Sequence, residues 1–152
     1  MNASRQGFMA RALAEAEAAA GRGEVPVGAV LVDALSGRVL AAAGNRCEEL
    51  RDPTAHAEML VIREAAAGRR AVRIENSDLY VTLEPCAMCA GAVSLARVRR
   101  LIFGAYDPKG GGVEHGARVF DRSTCHHRPE VIGGVEETAA AALLKDFFAD
   151  KR

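Results

Sequence analysis

The chain has 152 residues, no net formal charge at neutral pH, 49% hydrophobic residues and 26% charged residues. This length and composition suit one domain over residues 1–152 with a buried core, and the zero net charge excludes a long-range attraction of the whole molecule to nucleic acid. No apolar stretch is long enough to span a bilayer, and the N-terminus lacks the apolar segment of a signal peptide. We therefore expect a cytoplasmic protein.

The first part of the chain predicts a helix followed by a hairpin of two strands. Apolar residues recur at helical spacing over residues 4–21, and the glycines Gly21 and Gly23 end that pattern. A continuous apolar run with β-branched residues over 25–32 predicts a buried strand. Residues 38–43 return as a second strand after a turn, so the two strands should pair antiparallel.

The middle of the chain predicts alternating helices and strands. A loop leads into a helix over residues 56–67, which Gly68 should end. A strand over 79–83, a helix of small residues over 86–96 and a strand over 98–104 follow. Strand, crossover helix and strand predict a parallel pair with a right-handed connection.

The last part of the chain predicts a glycine-rich loop over 106–116, a short strand over 128–132 and an amphipathic helix over 136–148. The element order is then α-β-β-α-β-α-β-(β)-α. This order indicates an α/β fold in which a central mixed sheet carries helices on both faces.

The most informative feature is a split motif, His56-Ala57-Glu58 followed by Glu84-Pro85-Cys86-Ala87-Met88-Cys89. It offers one imidazole and two thiols, one ligand short of a closed tetrahedral zinc site. Such a site keeps its fourth position for water, as catalytic zinc sites do. The cysteines lie at a predicted strand-to-helix turn, where the positive end of a helix favours the thiolates that zinc needs.

Glu58 is placed to act on water rather than on the metal. Residues two positions apart do not share a face of a helix, so Glu58 should not be a second ligand beside His56. A carboxylate beside the ion can act first as a general base and then as a general acid. It would deliver the proton of water to a ring nitrogen and then to a leaving amine, and the products would be a carbonyl and ammonia.

Two non-catalytic interpretations of the cysteines stay open. A redox C-x-x-C can also lie at a strand-to-helix turn, but it would have no use for His56 and Glu58. A closed structural zinc site would need a fourth ligand, and no candidate has the tight sequence spacing to the motif that such sites usually show. The candidates for that ligand are Cys47, His115, Cys125, His126 and His127.

Residues outside the motif are candidates for weaker reasons. Asp107 lies in the glycine-rich loop and fits either a turn or a contact with substrate. Arg97, Arg99 and Arg100 form a basic cluster that suits either phosphate contact or, more readily, a solvated face.

The chain resembles a known family over nearly its whole length. The pattern H-x-E…P-C-x-x-C is the signature of zinc-dependent nucleobase deaminases, and the flanking residues resemble the bacterial tRNA-specific adenosine deaminases of the TadA type, in the cytidine-deaminase-like superfamily. The matching segments are residues 23–30, 44–46, 52–58, 79–92, 103–109 and 143–148.

The resemblance implies a three-layer α/β/α fold with a central mixed sheet of about five strands, a homodimer and one zinc ion per subunit. It implies that adenosine at the wobble position of an arginine tRNA becomes inosine, so the partner would be the tRNA anticodon arm. The implied zinc ligands are His56, Cys86 and Cys89, and Glu58 would be the proton shuttle. The implied substrate contacts are Asn45, Ala57, Asp107, Lys109 and Phe148, with the basic end Lys151-Arg152 near the RNA.

The zinc motif alone does not select the substrate. A deaminase of a free nucleobase or nucleoside, of the guanine, cytosine or adenine class, would use the same residues. A zinc-stabilised binding module without catalysis is a further alternative, although it would have no use for Glu58. The flanking match and the aromatic and basic C-terminus favour tRNA.

Overall fold

A five-stranded mixed sheet forms the middle layer of the computed structural model, which describes residues 2–151 and the side chains of residues 4–151. The strands are β1 (Gly28–Asp33), β2 (Val39–Gly44), β3 (Ser77–Leu83), β4 (Arg100–Ala105) and β5 (Glu130–Ile132). They lie in the order β2-β1-β3-β4-β5. β1 pairs antiparallel with both β2 and β3, whereas β3, β4 and β5 run parallel. The predicted hairpin and the predicted parallel pair are both confirmed.

Helices cover both faces of this sheet. They are α1 (Asn2–Gly21), α2 (Cys47–Leu50), α3 (Ala57–Arg69), α4 (Ala87–Ala96) and α5 (Glu137–Ala149), and a 3₁₀ turn covers Val119–Asp121. Tyr80 and Ile102 pack with α1 on one face, and Val81 and Phe103 pack with α3 and α4 on the other. The α/β fold with three layers is therefore confirmed. No helix within residues 2–151 is long and apolar enough to cross a membrane.

Helix α1 lies directly on the backbone of the sheet. A Cβ atom added to Gly44 would stand 2.6 Å from the carbonyl oxygen of Glu15, well inside van der Waals contact. Only glycine allows this close approach, because any side chain would meet the helix backbone. The approach fixes the end of β2, and Asn45 follows it immediately.

The first strand begins later than the sequence predicts. Residues 25–27 are outside β1. Pro26 has no N–H to donate to a neighbouring strand, and the N–H of Val27 turns back to the carbonyl of Val25 at 2.8 Å. The two ends of the apolar run therefore differ in structure. Val25 and Val27 line a cavity, and the residues after them form β1.

The end of α3 also differs from the prediction. Gly68 lies inside the helix, which continues to Arg69 and ends where Arg70 adopts a left-handed conformation with φ of 53°. The prediction that Gly68 ends the helix is wrong. A glycine inside a helix costs only about 1 kcal/mol. Burial of Val61 and Ala65 in the core can offset that cost, so the helix continues past Gly68. The short helix α2 was not predicted, because four residues carry no periodic pattern.

Candidate active site

Two helix starts bring three metal-binding side chains together. His56 is the residue before α3, Cys86 is the residue before α4, and Cys89 lies in the first turn of α4. The Nδ1 atom of His56 lies 3.6 Å from the Sγ of Cys86 and 3.5 Å from the Sγ of Cys89. The donor atoms of all three residues lie within 4.8 Å of one another. The structure therefore assembles the group that the motif predicts.

The spacing of these donors fits zinc. Nitrogen and sulfur ligands at about 2.1 Å and 2.3 Å from a tetrahedral zinc ion lie about 3.6 Å apart, which matches the observed nitrogen–sulfur distances. In residues 2–151, no fourth His, Cys, Asp or Glu joins the group. His56, Cys86 and Cys89 thus form a site suited to one zinc ion with an open coordination position.

The protonation of the two thiols favours cation binding. The neighbouring Cys89 thiol and His56 stabilise the Cys86 thiolate against the effect of burial and lower the Cys86 pKa to about 4. The same Cys86 sulfur, together with burial, raises the pKa of Cys89. Contact with Cys86 also raises the pKa of His56. The pair therefore favours one thiolate, and a bound cation would stabilise a second.

Glu58 is a buried carboxyl group beside the donor group. It lies in the first turn of α3, is only 4% exposed and lines the same cavity as His56. Burial raises its pKa to about 7, against the opposing effects of its own backbone N–H and of His56. It is absent from the donor group within residues 2–151. Glu58 therefore lies on the wall of the same cavity without belonging to the donor group, and a carboxyl group with this pKa can exchange protons near neutral pH.

Asn45 ties the end of β2 to the start of α3. Its side-chain Oδ1 accepts a hydrogen bond from the backbone N–H of Ala57 at 2.8 Å. The backbone N–H of Asn45 donates to the carbonyl of Val27. Because an N–H can only donate, the first contact also fixes which end of the amide is oxygen. The amide nitrogen of Asn45 has no partner among the described residues, and Asn45 lines the cavity.

A cavity of about 320 Å³ opens beside the donor group, within the usual size range of small-molecule sites. Its walls combine His56 and Cys86, two members of the donor group, with Glu58, apolar side chains and a few polar groups. The remaining lining residues are Val25, Val27, Asn45, Cys47, Leu83, Glu84, Asp107 and Gly110.

A second groove of about 490 Å³ adjoins this cavity and shares part of its wall, including Asp107. Lys109 and Phe148 line the groove but not the inner cavity. Ala57 is fully buried and lines neither. The expected substrate contacts therefore separate into an inner group, Asn45 and Asp107, and an outer group, Lys109 and Phe148.

Lys151, expected near the RNA, and two arginines of the basic cluster have partners within the chain. The ammonium of Lys151 stands 5.0 Å from the ring centre of Phe147, and Arg152 lies outside the described residues. Arg99 donates two hydrogen bonds to Asp78, at 2.9 Å and 2.7 Å. Arg100 donates to Glu130 at 2.8 Å, so both arginines belong to ion pairs within the chain.

The remaining cysteines and histidines do not complete a closed zinc site. The Cys125 thiol contacts Ser94 and the carbonyl of His127. The ring of His115 contacts Glu84. Cys47 lines the inner cavity without joining the donor group. Within residues 2–151, no fourth His, Cys, Asp or Glu is therefore placed to close the site as a structural zinc site would require.

Sequence reasoning missed two buried carboxylates near the site. Glu24 accepts hydrogen bonds from the first N–H groups of α2, those of Glu48 and Glu49, at 3.1 Å and 2.9 Å. Glu84 accepts hydrogen bonds from the loop that carries Asp107. The available signal was the position of each acidic residue next to an apolar strand segment, where an unpaired charge would be costly.

Comparison with known proteins supplies the family. The family model for the cytidine and deoxycytidylate deaminase zinc-binding region matches residues 2–105, more than half of the chain. A tRNA-specific adenosine deaminase of Agrobacterium fabrum is 56% identical over 150 residues, which are 99% of this chain and 97% of that protein.

Solved structures agree with this match. One, from a study of A-to-I editing by tRNA:A34 deaminases at the wobble position of transfer RNA, has a TM-score of 0.87 and 56% identity, and the match covers 90% of this chain and 98% of the other. A guanine deaminase from Nitrosomonas europaea has a TM-score of 0.82 and 25% identity, covering 95% and 84%. The chain belongs to the tRNA-specific adenosine deaminases, within the zinc-binding cytidine and deoxycytidylate deaminase family.

Proposed function

We propose that this enzyme converts adenosine at the wobble position of an arginine tRNA to inosine by hydrolytic deamination. The observation that carries the proposal is the three-donor group of His56, Cys86 and Cys89, which opens on a cavity that also holds the buried carboxyl of Glu58. The names of the relatives support the RNA substrate. Since tRNA is the proposed substrate, the proposed location is the cytoplasm.

The proposed chemistry replaces the exocyclic amine of adenine with oxygen from water. When bound by these three residues, zinc would supply a Lewis acid that lowers the pKa of water to near 7. The oxygen of water forms a bond to C6 of the base, and the bond from C6 to the amine nitrogen then breaks. One proton of the water ends on the ring nitrogen N1 and the other leaves with ammonia.

Glu58 is proposed to move both protons. Its carboxyl lies beside the donor group on the cavity wall. As a general base it accepts the first proton and passes it to N1. As a general acid it then delivers the second proton to the departing amine. Burial keeps the pKa of Glu58 near neutrality, which suits a group that must both accept and donate.

Asn45 is proposed to orient the base. Its oxygen is held by the N–H of Ala57 and its side chain lines the cavity, so its amide nitrogen is the group left to donate to a bound base. A purine offers ring nitrogens as acceptors there. Ala57 would act by fixing this amide, rather than by offering its own N–H to the base.

The outer groove is proposed to bind the RNA that flanks the base. An anticodon loop is single-stranded, so one base can turn into the inner cavity at modest cost. Lys109 and Phe148 then lie where a phosphate and a neighbouring base would pass, and aromatic side chains bind bases by stacking. Asp107 stands at the border of cavity and groove, where it can contact the turned nucleotide.

We also propose that residues 1–152 act as one deaminase domain and that the molecule is a homodimer. One apolar core joins residues from Val27 to Leu144. On α4, which follows Cys86, Leu95 is 70% exposed and Met88 is 37% exposed, an apolar surface that a second copy would cover. Light scattering of the purified protein tests this, since a monomer at assay concentration would contradict the homodimer.

A deaminase of free bases or nucleosides is the second candidate. It is favoured by the structural similarity to a guanine deaminase and by an inner cavity whose volume suits a small molecule. A zinc-stabilised binding module is disfavoured, because it would leave the buried Glu58 without a use.

The test is inosine formation in an arginine anticodon stem-loop with adenosine at the wobble position. A matched stem-loop carries its only loop adenosine one position away, and free adenosine, adenine, guanine and cytidine run in parallel. Conversion of the first stem-loop alone supports the proposal. Conversion of a free base or nucleoside alone would replace it with the second candidate.

A further inference from the structure

Glu84 accepts five hydrogen bonds although it lies in neither the donor group nor the proposed proton path. It follows the last residue of β3, stands two residues before Cys86, and its side chain is fully buried. Its Oε1 accepts from the N–H of Asp107 at 3.0 Å and from the ring Nδ1 of His115 at 2.8 Å. Its Oε2 accepts from the N–H groups of Val113, Glu114 and His115 at 3.2, 2.9 and 3.1 Å.

All five donors belong to one stretch of chain, which we call the 107–115 segment. Asp107 begins this segment, and the three consecutive N–H groups and the His115 ring end it. A single carboxylate therefore holds both ends of a nine-residue loop. Charge-assisted hydrogen bonds of this kind are stronger than those between neutral groups, and a buried carboxylate that lost them would be costly.

The middle of the segment rests on the turn that carries the metal ligands. The N–H of Gly112 donates to the carbonyl of Pro85 at 2.8 Å. A Cβ atom at Gly112 would lie 2.5 Å from the backbone nitrogen of Ala87, so only glycine allows the contact. The segment, the carboxylate of Glu84 and the Cys86 turn form one packed unit.

The same segment forms the border between the inner cavity and the outer groove. Asp107 and Gly110 line both spaces, and Lys109 lines the groove. The bonds to Glu84, together with the Gly112–Pro85 bond, therefore set the position of these groups relative to Cys86. Ordering a glycine-rich loop only when RNA binds would cost free energy at that step.

We propose that Glu84 is a positioning residue, which holds the 107–115 segment in its RNA-binding conformation and so sets the outer groove against the metal ligands. The inference rests on the proposed function only for the identity of the ligand that the segment contacts. The ordering of the segment by Glu84 is a property of the protein alone.

The test compares Glu84→Gln with Asp78→Asn. Asp78 is also a buried carboxylate with two charge-assisted hydrogen bonds, to Arg99, but it lies at the other end of β3. Glutamine keeps the size of Glu84 but turns an amide group toward N–H donors. We expect Glu84→Gln to raise the KM for the stem-loop about 10- to 100-fold with a smaller change in kcat and unchanged zinc content. Asp78→Asn should lower the melting temperature without moving KM.

A second readout does not need activity. Hydrogen exchange of the amides of Val113, Glu114 and His115 should accelerate in Glu84→Gln, while the amides of α1 keep their wild-type rates. His115→Ala removes one of the five bonds and should give a smaller change of the same kind. This milder variant keeps the test valid if Glu84→Gln fails to fold.

Unchanged exchange in the 107–115 segment, or a loss of kcat with KM unaltered, would overturn the inference. The second result would show that Glu84 only supports the folded state. If the wild-type protein converts no stem-loop, the proposed function fails, yet the exchange experiment still decides whether Glu84 orders the segment.

Discussion

The side-chain oxygen of Asn45 accepts a hydrogen bond from the backbone N–H of Ala57 at 2.8 Å, and this contact joins the end of β2 to the start of α3. Ala57 lies between His56, a proposed zinc ligand, and Glu58, the proposed proton shuttle. The residue proposed to orient the base therefore also fixes the helix that carries the metal chemistry. Two substitutions at Asn45 can separate these two effects.

Asn45→Asp keeps an oxygen acceptor for the N–H of Ala57 but removes the amide donor that faces the cavity. We expect zinc content and melting temperature close to wild type, with kcat/KM lower by about 100-fold, the loss typical of a misplaced or missing positioning contact. Asn45→Ala should in addition lower the free energy of unfolding by about 1–3 kcal/mol, because a buried N–H loses its partner. Equal melting temperatures for the two variants would argue against the Asn45–Ala57 bond.

Glu58→Gln removes the proton-transfer group and keeps the shape of the side chain. We expect kcat to fall by about 100- to 10,000-fold while zinc content and stem-loop affinity stay at wild-type values. Glu64→Gln, an exposed site on the same helix, is the matched control and should keep full activity. Residual turnover near the wild-type rate in Glu58→Gln would contradict the proposed proton path.

Cys86→Ala removes one of three ligands. We expect zinc content, measured by atomic absorption, to fall well below about one ion per chain, together with the melting temperature, because metal binding also stabilises the fold. A chelator should have the same effect on the wild-type protein. Cys125→Ala is the control, since Cys125 is half-buried but outside the donor group, and it should keep its zinc. Full zinc content in Cys86→Ala would refute the ligand assignment.

Gly112→Ala tests the contact between the 107–115 segment and the Cys86 turn. Its new Cβ would stand 2.5 Å and 2.7 Å from backbone atoms of Ala87, which cannot move aside as a side chain can. We expect destabilisation by about 1–3 kcal/mol. Gly68→Ala is the control, because a Cβ there meets nothing within 4 Å and the site is helical, so the change should stabilise by up to about 1 kcal/mol. Similar melting temperatures for both variants would contradict the close contact.

The donor group of His56, Cys86 and Cys89 was predictable because short sequence patterns around each residue indicate it. His56 and Cys86 each stand one residue before a helix, and the sequence shows both helix starts and the C-x-x-C spacing. Residue types and spacing alone also lead us to expect a fourth coordination position for water and Glu58 beside a bound ion rather than on it. The resemblance to the family added the substrate, which the zinc motif cannot select.

The contacts that organise the site were not predictable, because they join residues far apart in the chain. Glu84 accepts hydrogen bonds from N–H groups of the 107–115 segment, and Asn45 accepts one from the N–H of Ala57. Neither pairing is visible as a periodic pattern in the sequence. The two element boundaries that differ from the prediction, the end of α3 and the start of β1, also depend on contacts between distant parts of the chain. Helix α3 continues past Gly68 instead of ending there. Val25 and Val27 line the cavity instead of belonging to the predicted strand.

Hydrolytic deamination with Glu58 as the proton shuttle is tested most directly by the origin of the oxygen atom in the product. Wild-type protein and Glu58→Gln, with equal zinc content, react with the wobble-adenosine stem-loop in water enriched in heavy oxygen, and mass spectrometry reads the released nucleosides. We expect the wild-type protein to release ammonia and to form inosine that carries one heavy oxygen, and Glu58→Gln to leave the adenosine unchanged. Unlabelled inosine, or equal conversion by both proteins, would contradict hydrolytic deamination with Glu58 as the proton shuttle.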